Sequence, residues 1–470
     1  MTTEQKPKRR SKFGRWPFGG WAVVLLAAAF VATLAGFVWY RFATPRDVGE
    51  PFDVQRFLSV AVPDDQNAFT YYREAQGRFV NEPAGFRSNQ AREPFSKSCE
   101  EVIDGGWGRA NEQVRGWLLA NRPALDAWKR GTACADALEI PPADVTIGSP
   151  APLTQSLREF SRLGLLEAAH VSAEKSPTDA WPWYRAVLRS SRHAGMHTAI
   201  LGRMIGIALH AVTVEPVLRW SARPELSADD LRHALADVLA IDEMTPSLSD
   251  NLKAEYLLCR ATMGANFPGW SGLPMRLTGL PERTRRALNM VFANWLSQAD
   301  RPRFRRTPSR GPWMLFEPDP AAPANPRILS PAEIEDRCGL ADRSSEAVMM
   351  NLLIPSIDGF FQSVDRERTR QAALLLGLAL ELYHRQHGHF PAALDELVKA
   401  GDLKMIPLDP FGKGEPFHYR READPQQGAI LWSVWTDGID QNGKIEVGGD
   451  REGASGDKIF RIASPRKGSP

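Results

Sequence analysis

The sequence predicts a mainly α-helical protein with an N-terminal transmembrane helix, a repeat-like ectodomain of helical hairpins and a small α+β module at the C-terminus. Three observations lead to this fold class. An uncharged apolar run lies near the N-terminus, apolar residues recur at helical intervals through the middle of the chain, and strand-like stretches occur only near the end. The chain of 470 residues is long enough for about two or three domains.

Residues 21–40 form an uncharged apolar segment that we predict to be a transmembrane helix. A helix of this length rises about 30 Å, which is roughly the thickness of the hydrocarbon core of a bilayer. Trp21 at one end, and Trp39 and Tyr40 at the other, occupy positions where aromatic rings prefer the membrane interfaces. A cleaved signal peptide is the alternative, but its apolar region is shorter and small residues surround its cleavage site.

Residues 1–20 form a basic tail that we expect to stay in the cytoplasm, because positive residues are retained on that side of a membrane. Residues 41–470 would then be exported across the inner (plasma) membrane by a single-pass protein. The tail also predicts contact with anionic lipid headgroups. The residues that we expect to make this contact are Lys6, Lys8, Arg9 and Arg10.

Charge and cysteine content exclude several classes of protein. The tail holds six of the 58 basic residues and one of the 56 acidic residues, so the remaining chain is nearly neutral. It therefore lacks the basic excess typical of a nucleic-acid-binding protein. Cys99, Cys134, Cys259 and Cys338 include no CxxC pair, which argues against a zinc ribbon or a thioredoxin-type site. Three disulfide pairings remain open, as do free buried thiols.

Residues 41–300 form the predicted helical ectodomain. Apolar stripes cover residues 153–160 and 181–188, and residues 200–208 are apolar on most sides, which is typical of a buried helix. Ser227 and Asp230 occupy the positions of an N-cap and a first-turn acid. Short proline-containing turns between such helices predict stacked antiparallel hairpins, although no sequence period identifies a repeat family.

Residues 301–331 form a predicted linker that contains eight prolines and a cluster of arginines. A solvated linker and a basic loop that contacts lipid headgroups or an acidic partner are both compatible with this composition. The sequence Ser330–Glu333 then has the order of cap, first-position proline and third-position acid that begins a helix.

Residues 332–466 form the predicted C-terminal module. A long amphipathic helix is expected from about Ser356 to His387, where Gly388 would end it. A short helix over 392–400 and strands over 416–421, 429–434 and 458–462 should follow, as listed here in chain order.

Residues 356–466 resemble the globular part of the major pseudopilins of type II secretion systems. The matching segments are ALELYHRQHGHFPAALDELVKAG (379–401), DPFGKGEPFHYR (409–420), WSVWTDG (432–438) and GDKIF (456–460). In a pseudopilin the hydrophobic helix directly precedes this module and begins at a peptidase site. Here the anchor lies more than 300 residues upstream, so the resemblance implies the fold of the module rather than assembly into a fibre.

The same resemblance implies a calcium site in the last loop, because that family often holds calcium there. Asp437 and Asp457 correspond to its acidic ligands, and Asp440 and Asn442 supply further oxygen atoms nearby. Calcium prefers six to eight hard oxygen ligands from a flexible loop. The alternative is a solvated Asp/Gly-rich turn.

Other candidate sites have weaker signals. His384, His387 and His389 cluster at the end of the long helix, where they would bind a metal or complement the helix dipole. His193 and His197 have the spacing of a zinc pair but lack the glutamate of a zinc protease. The sequence contains no nucleophile elbow, phosphate-binding loop or dinucleotide fingerprint, so it names no catalytic residue.

These observations predict a membrane-anchored, exported interaction or scaffold protein of the cell envelope, without enzymatic activity and with a role related to secretion. The alternatives are an exported enzyme that acts on an envelope polymer at a site in the helical domain, and an atypical component of a pseudopilus. A deep pocket lined by acids or histidine within residues 60–300 would favour the enzyme.

Overall fold

The structure is a computed structural model, and the part of the chain that it describes is mainly helical with a small sheet. The described ranges are 18–43, 47–82, 89–146, 152–266, 279–306, 316–317, 327–328, 357–422, 428–447 and 455–462. The basic tail up to residue 17, Cys338, the helix start at Ser330 and most of the predicted linker lie outside these ranges.

Fourteen α-helices lie within the described ranges. In chain order they are α1 (Phe18–Ala43), α2 (Val54–Leu58), α3 (Ala68–Arg78), α4 (Asn89–Gly105), α5 (Glu112–Ala120), α6 (Arg122–Gly131), α7 (Pro152–Glu174), α8 (Pro177–His193), α9 (Ile200–Ser221), α10 (Ala228–Glu243), α11 (Leu248–Asn266), α12 (Leu280–Ala299), α13 (Ile357–His387) and α14 (Asp395–Lys399). Three short 3₁₀ turns lie at Trp107–Arg109, Pro142–Asp144 and Arg303–Arg305.

Five strands form two antiparallel sheets in the described part of the chain. The strands are β1 (Phe316–Glu317), β2 (Arg327–Ile328), β3 (His418–Arg421), β4 (Ala429–Ser433) and β5 (Lys458–Ile462). In the larger sheet β4 lies between β3 and β5, and Trp432 faces His418 on one side and Ile459 on the other. All five residues of β4 are buried, so the centre of this sheet belongs to the protein interior.

Helix α1 is the predicted apolar helix, and it differs in its burial from the other long helices that the structure describes. All of its 18 residues from Trp21 to Val38 are exposed, and their mean hydropathy is 2.4. Helix α9 is also long and apolar enough to cross a membrane by length and composition, but 67% of it is buried inside the fold. We therefore assign α9 to the core, as its all-round apolar sequence predicted.

The caps predicted from the sequence are present. Ser227 begins α10 with a capping box: its hydroxyl accepts the Asp230 amide at 3.1 Å, and the Asp230 carboxylate accepts the Ser227 amide at 2.8 Å. Gly388 ends α13 with φ of +76°, and its amide donates to the His384 carbonyl at 2.8 Å. These local signals fix where the two helices begin and end.

Helices in the middle of the molecule pack both on their neighbours in the chain and on a helix further along it. Helix α7 packs on α8, α8 packs on α9, and α3 packs on α6. The mainly helical fold is therefore confirmed. The repeat-like arrangement of hairpins stays a prediction.

One hydrophobic core joins the predicted ectodomain to the predicted C-terminal module. Helix α13 packs on α9, α10 and β5. Leu157 and Leu188 from the helical region belong to the same cluster as Leu376, Leu380 and Phe460 from the C-terminal region. The two regions therefore exclude water together.

The described start of the arginine-rich linker is bound to the chain itself. Asp365 of α13 is fully buried and forms ion pairs with Arg306 and Arg303, the latter at 3.4 Å. The Arg303 guanidinium also lies 4.6 Å from the centre of the Phe411 ring. These two arginines thus neutralise an internal carboxylate, which neither interpretation of the linker anticipated.

Candidate functional site

The residues predicted to bind calcium lie in one loop after β4, where their carboxylates hold backbone amides. Asp437 accepts the amides of Ile439 at 3.0 Å and Gly456 at 3.1 Å. Asp440 accepts the indole N–H of Trp432 at 2.9 Å and the Asn442 amide at 2.7 Å. The loop is therefore closed by its own acidic side chains.

Asp457 is the most enclosed of these acids. It is fully buried, and it accepts the amides of Gly443 at 2.8 Å and Gln441 at 3.3 Å. Burial raises its pKa, and the negative charges of Asp440 and Asp437 act in the same direction. Within the described residues, no group of three or more His, Cys, Asp or Glu side chains has the arrangement of a metal site. Calcium binding by this loop stays a prediction.

The histidines at the end of α13 take part in ring packing. The His387 ring stacks on Tyr383 with 4.0 Å between centroids, and the His384 ring stacks on Phe390 at 4.5 Å. His389 lies near the edge of the Tyr383 ring at 6.0 Å. These contacts explain the cluster as the packing that ends the helix.

His193 and His197 bind different partners, because α8 ends at His193 and His197 lies in the following turn. His193 is fully buried; its Nε2–H donates to the Cys134 carbonyl at 3.1 Å, so its Nδ1 accepts from the Tyr72 hydroxyl at 2.6 Å. Burial lowers the pKa of His193 to about 3, which keeps the ring neutral. His197 instead contacts Asp136 through Nε2 at 2.9 Å. The two rings therefore do not form a zinc pair.

The three described cysteines form no disulfide with one another. Cys99 and Cys259 are buried, and Cys134 is partly exposed. Burial raises the pKa of the Cys99 thiol to about 12, and it raises the pKa of the other two thiols as well. These cysteines are therefore protonated and have the character of small apolar residues.

The structure contains a pocket that sequence reasoning did not single out. Its volume is about 430 Å³, which is within the usual range for small-molecule sites. It lies between the first turns of α7 and α9, the middle of α11 and the segment 139–146. Its apolar lining comes from Phe69, Ile140, Pro142, Val145, Met196, Leu201, Ile205, Ala254 and Leu257.

The acidic side chains at this pocket accept hydrogen bonds from backbone amides in the first turns of α7 and α9. Glu139 accepts the amides of Leu153 at 2.9 Å and Thr154 at 3.0 Å, so it caps α7. Behind the wall, Glu255 accepts the Ile200 amide at 3.0 Å and caps α9. Burial raises the pKa of Glu255. Both acids thus have a structural role in forming the walls.

His197 is the polar group with the least common backbone geometry at the pocket. Its φ is +50°, in the left-handed region that side chains other than glycine rarely adopt. The hydrogen bond from His197 is the main cause that lowers the pKa of Asp136. Strained backbone of this kind concentrates at functional sites, and only the tertiary fold brings His197 and Asp136 together.

A second polar cluster lies fully inside the molecule and connects α8, α9 and α13. Glu367 pairs with Arg192 and Arg203, and all three side chains are at most 2% exposed. Gln371 accepts from Arg192 at 3.0 Å and from the Nε2–H of His210 at 2.8 Å. We call these five residues the buried ion cluster; none of them was singled out from the sequence.

The comparisons with known proteins give no functional assignment. No protein-family model, no curated protein and no solved structure matches this chain. Its function is therefore inferred from its own residues.

Proposed function

We propose that the protein is a single-pass protein of the inner (plasma) membrane whose residues 41–470 are exported, where they act as a non-enzymatic interaction or scaffold protein of the cell envelope. The observation that carries this proposal is the exposed apolar surface of α1, since all 18 residues from Trp21 to Val38 are exposed. An exposed apolar surface of this extent is typical of a site that contacts a membrane or another protein. The length and hydropathy of α1 match those of a helix that spans a bilayer.

Fusions of alkaline phosphatase and of green fluorescent protein after Arg15 and after Val60 test the topology. We expect phosphatase activity only from the fusion after Val60 and fluorescence only from the fusion after Arg15, because the basic tail stays inside. Fluorescence from the fusion after Val60 would contradict the proposal. In vivo crosslinking from the exported part would then identify the protein partner.

We also propose that Lys6, Lys8, Arg9 and Arg10 contact anionic lipid. Replacing all four residues by glutamine removes the charge asymmetry that retains the tail inside. The phosphatase activity of the fusion after Val60 should then fall, and a fourfold Lys/Arg exchange that keeps the charge should leave it unchanged.

For the C-terminal region we propose a pseudopilin-like module that binds calcium through Asp437, Asp457, Asp440 and Asn442. The quoted motifs support the likeness, and the Asp-rich composition of the loop supports the ligand. Calorimetric titration of the full chain with calcium should release or absorb heat and raise the melting temperature, whereas D437N should weaken both effects. The absence of heat and of stabilisation would exclude the site.

An exported enzyme that acts on an envelope polymer is the second candidate, and the His197–Asp136 pair beside the pocket favours it. Incubation of the full chain with isolated envelope polymer should then release fragments, and H197Q should abolish their release. An atypical pseudopilus component would instead show a shortened N-terminal mass after processing by a prepilin peptidase.

A further inference from the structure

We infer that the pocket between α7, α9 and α11 binds one alkyl chain, such as the acyl chain of a fatty acid or of a lipid. The inference begins with the lining, which is aliphatic on α9 and α11 and gains further apolar surface from Ile140, Pro142 and Val145. Phe69 is the aromatic contributor, and its ring is 1% exposed. A surface of this kind binds by non-directional exclusion of water, which suits a hydrocarbon chain.

Three of the polar side chains that line the pocket, Glu139, Thr154 and His197, form hydrogen bonds within the protein. No lysine or arginine is among the described lining residues, so the pocket offers an anion no counterion there. Glu139 holds the first turn of α7 with both carboxylate oxygens. Asp136 accepts from His197. An anion in the pocket would meet the Glu139 carboxylate, whereas an uncharged chain leaves these hydrogen bonds intact.

The rim of the pocket indicates where a headgroup would lie. Leu201 lines the pocket and is nevertheless 61% exposed, so the cavity continues to solvent at the first turn of α9. His197 lies next to this turn and is partly exposed. A chain inserted between α9 and α11 would therefore keep its polar end in water beside His197.

Photocrosslinking of the full chain in phosphatidylcholine nanodiscs tests this inference. One arm uses phosphatidylcholine that carries a diazirine on its acyl chain, and the other uses free hexadecanoic acid with the same group. Peptide mass spectrometry should find adducts within 201–205 and 254–258, the α9 and α11 walls of the pocket. Labelling by the first probe indicates a bilayer lipid as the source, and labelling by the second alone indicates a free amphiphile.

A matched pair of variants tests the location of the adducts. Ala199 lines the pocket, and A199F fills part of it; Ala120 is exposed at the end of α5, so A120F adds the same ring outside it. If the added ring displaces two methylene groups of the bound chain, the affinity of the chain should fall about tenfold. Labelling of the pocket should fall by the same factor. A120F should label like the wild type. If A199F does not fold, competition by unlabelled hexadecanoic acid on the wild type should produce the same loss.

The free-acid arm does not depend on the proposed membrane anchor. Lipid adducts on Trp21–Val38 report on the anchor, and adducts within 201–205 and 254–258 report on the pocket. Pocket adducts without anchor adducts would contradict the proposed function and leave this inference standing. Anchor adducts alone, or pocket adducts that neither A199F nor competition lowers, would overturn it.

Discussion

At the scale of single residues, the charges of the buried ion cluster are the least expected feature of the molecule. Burial alone would raise the pKa of Glu367, but the charges of Arg203 and Arg192 outweigh it and hold the pKa at about 2. Glu367 therefore stays ionised between two guanidinium groups inside the core. Loss of Glu367 would leave two buried guanidinium groups without a counterion.

Replacement of Glu367 by alanine should destabilise the protein by about 3–5 kcal/mol, since two buried guanidinium groups lose their counterion. Urea unfolding followed by tryptophan fluorescence would measure this loss. Glu225 is the matched control, because it pairs with Arg223 at an exposed position, where alanine should cost about 0–1 kcal/mol. Equal losses for the two variants would contradict the role of the cluster.

Acidification should destabilise the fold through His193 and His210. Burial lowers the pKa of each to about 3, whereas an unfolded histidine has a pKa of about 6.5. Below pH 6.5 the unfolded chain therefore binds two protons that the folded chain does not, and stability falls as the pH decreases towards 3.

Urea unfolding at several pH values between 7 and 5 would measure the slope, which should be near 1.4 kcal/mol per pH unit for each histidine at pH values well below 6.5. H210Q should remove about half of the slope. His233 is the control, because its side chain is 74% exposed and H233Q should leave the slope unchanged.

At the scale of elements, helix ends were the most predictable part of the fold. The capping box of Ser227 and the C-terminal Gly388 act within one turn of chain, so the sequence around each residue contains the whole signal. The strand over 458–462 was predicted with its observed bounds for a similar reason. The stacking of His384 on Phe390 was not predicted, because the sequence suggested only metal binding or an interaction with the helix dipole there.

Replacement of Gly388 by alanine should destabilise the end of α13 by about 1–2 kcal/mol, because φ of +76° is unfavourable for a residue with a Cβ. No atom lies within 4 Å of the added carbon, so the loss would come from the backbone alone. G77A is the opposite control: Gly77 lies within α3 with equally free space, and alanine there should stabilise by about 0.5–1 kcal/mol. Thermal unfolding of both variants would show whether the signs differ.

At the scale of the whole molecule, the pocket, the His197–Asp136 pair and the buried ion cluster were beyond prediction for one physical reason. Each depends on which helices face one another, and that choice is made by contacts between distant parts of the chain. Arg192 and Glu367 are 175 residues apart, and His197 and Asp136 are 61 apart. Local periodicity predicts that a face is buried but not what covers it. The predicted domain bounds at 300 and 331 also depend on such distant contacts, and they stay predictions.

A chain that ends after Arg306 should fail to form a stable helical domain, because α13 and β5 supply part of its core. We expect weak near-ultraviolet circular dichroism, binding of a hydrophobic dye and no cooperative melting. The full chain should unfold its shared core in a single transition. A truncated chain that melts cooperatively at the temperature of the full chain would show that the two regions are independent.

The central position of α13 also has a consequence for the order of events during synthesis. Residues 369–383 are all buried, yet the ribosome makes them after nearly all the helices that they contact. Until α13 is synthesised, the apolar faces of α9 and α10 lack the helix that covers them. Arg192 and Arg203 likewise lack their counterion, Glu367. Contacts of such long sequence separation slow folding. The chain would therefore complete its core only near the end of synthesis, and the helices made first would lack part of their packing until then.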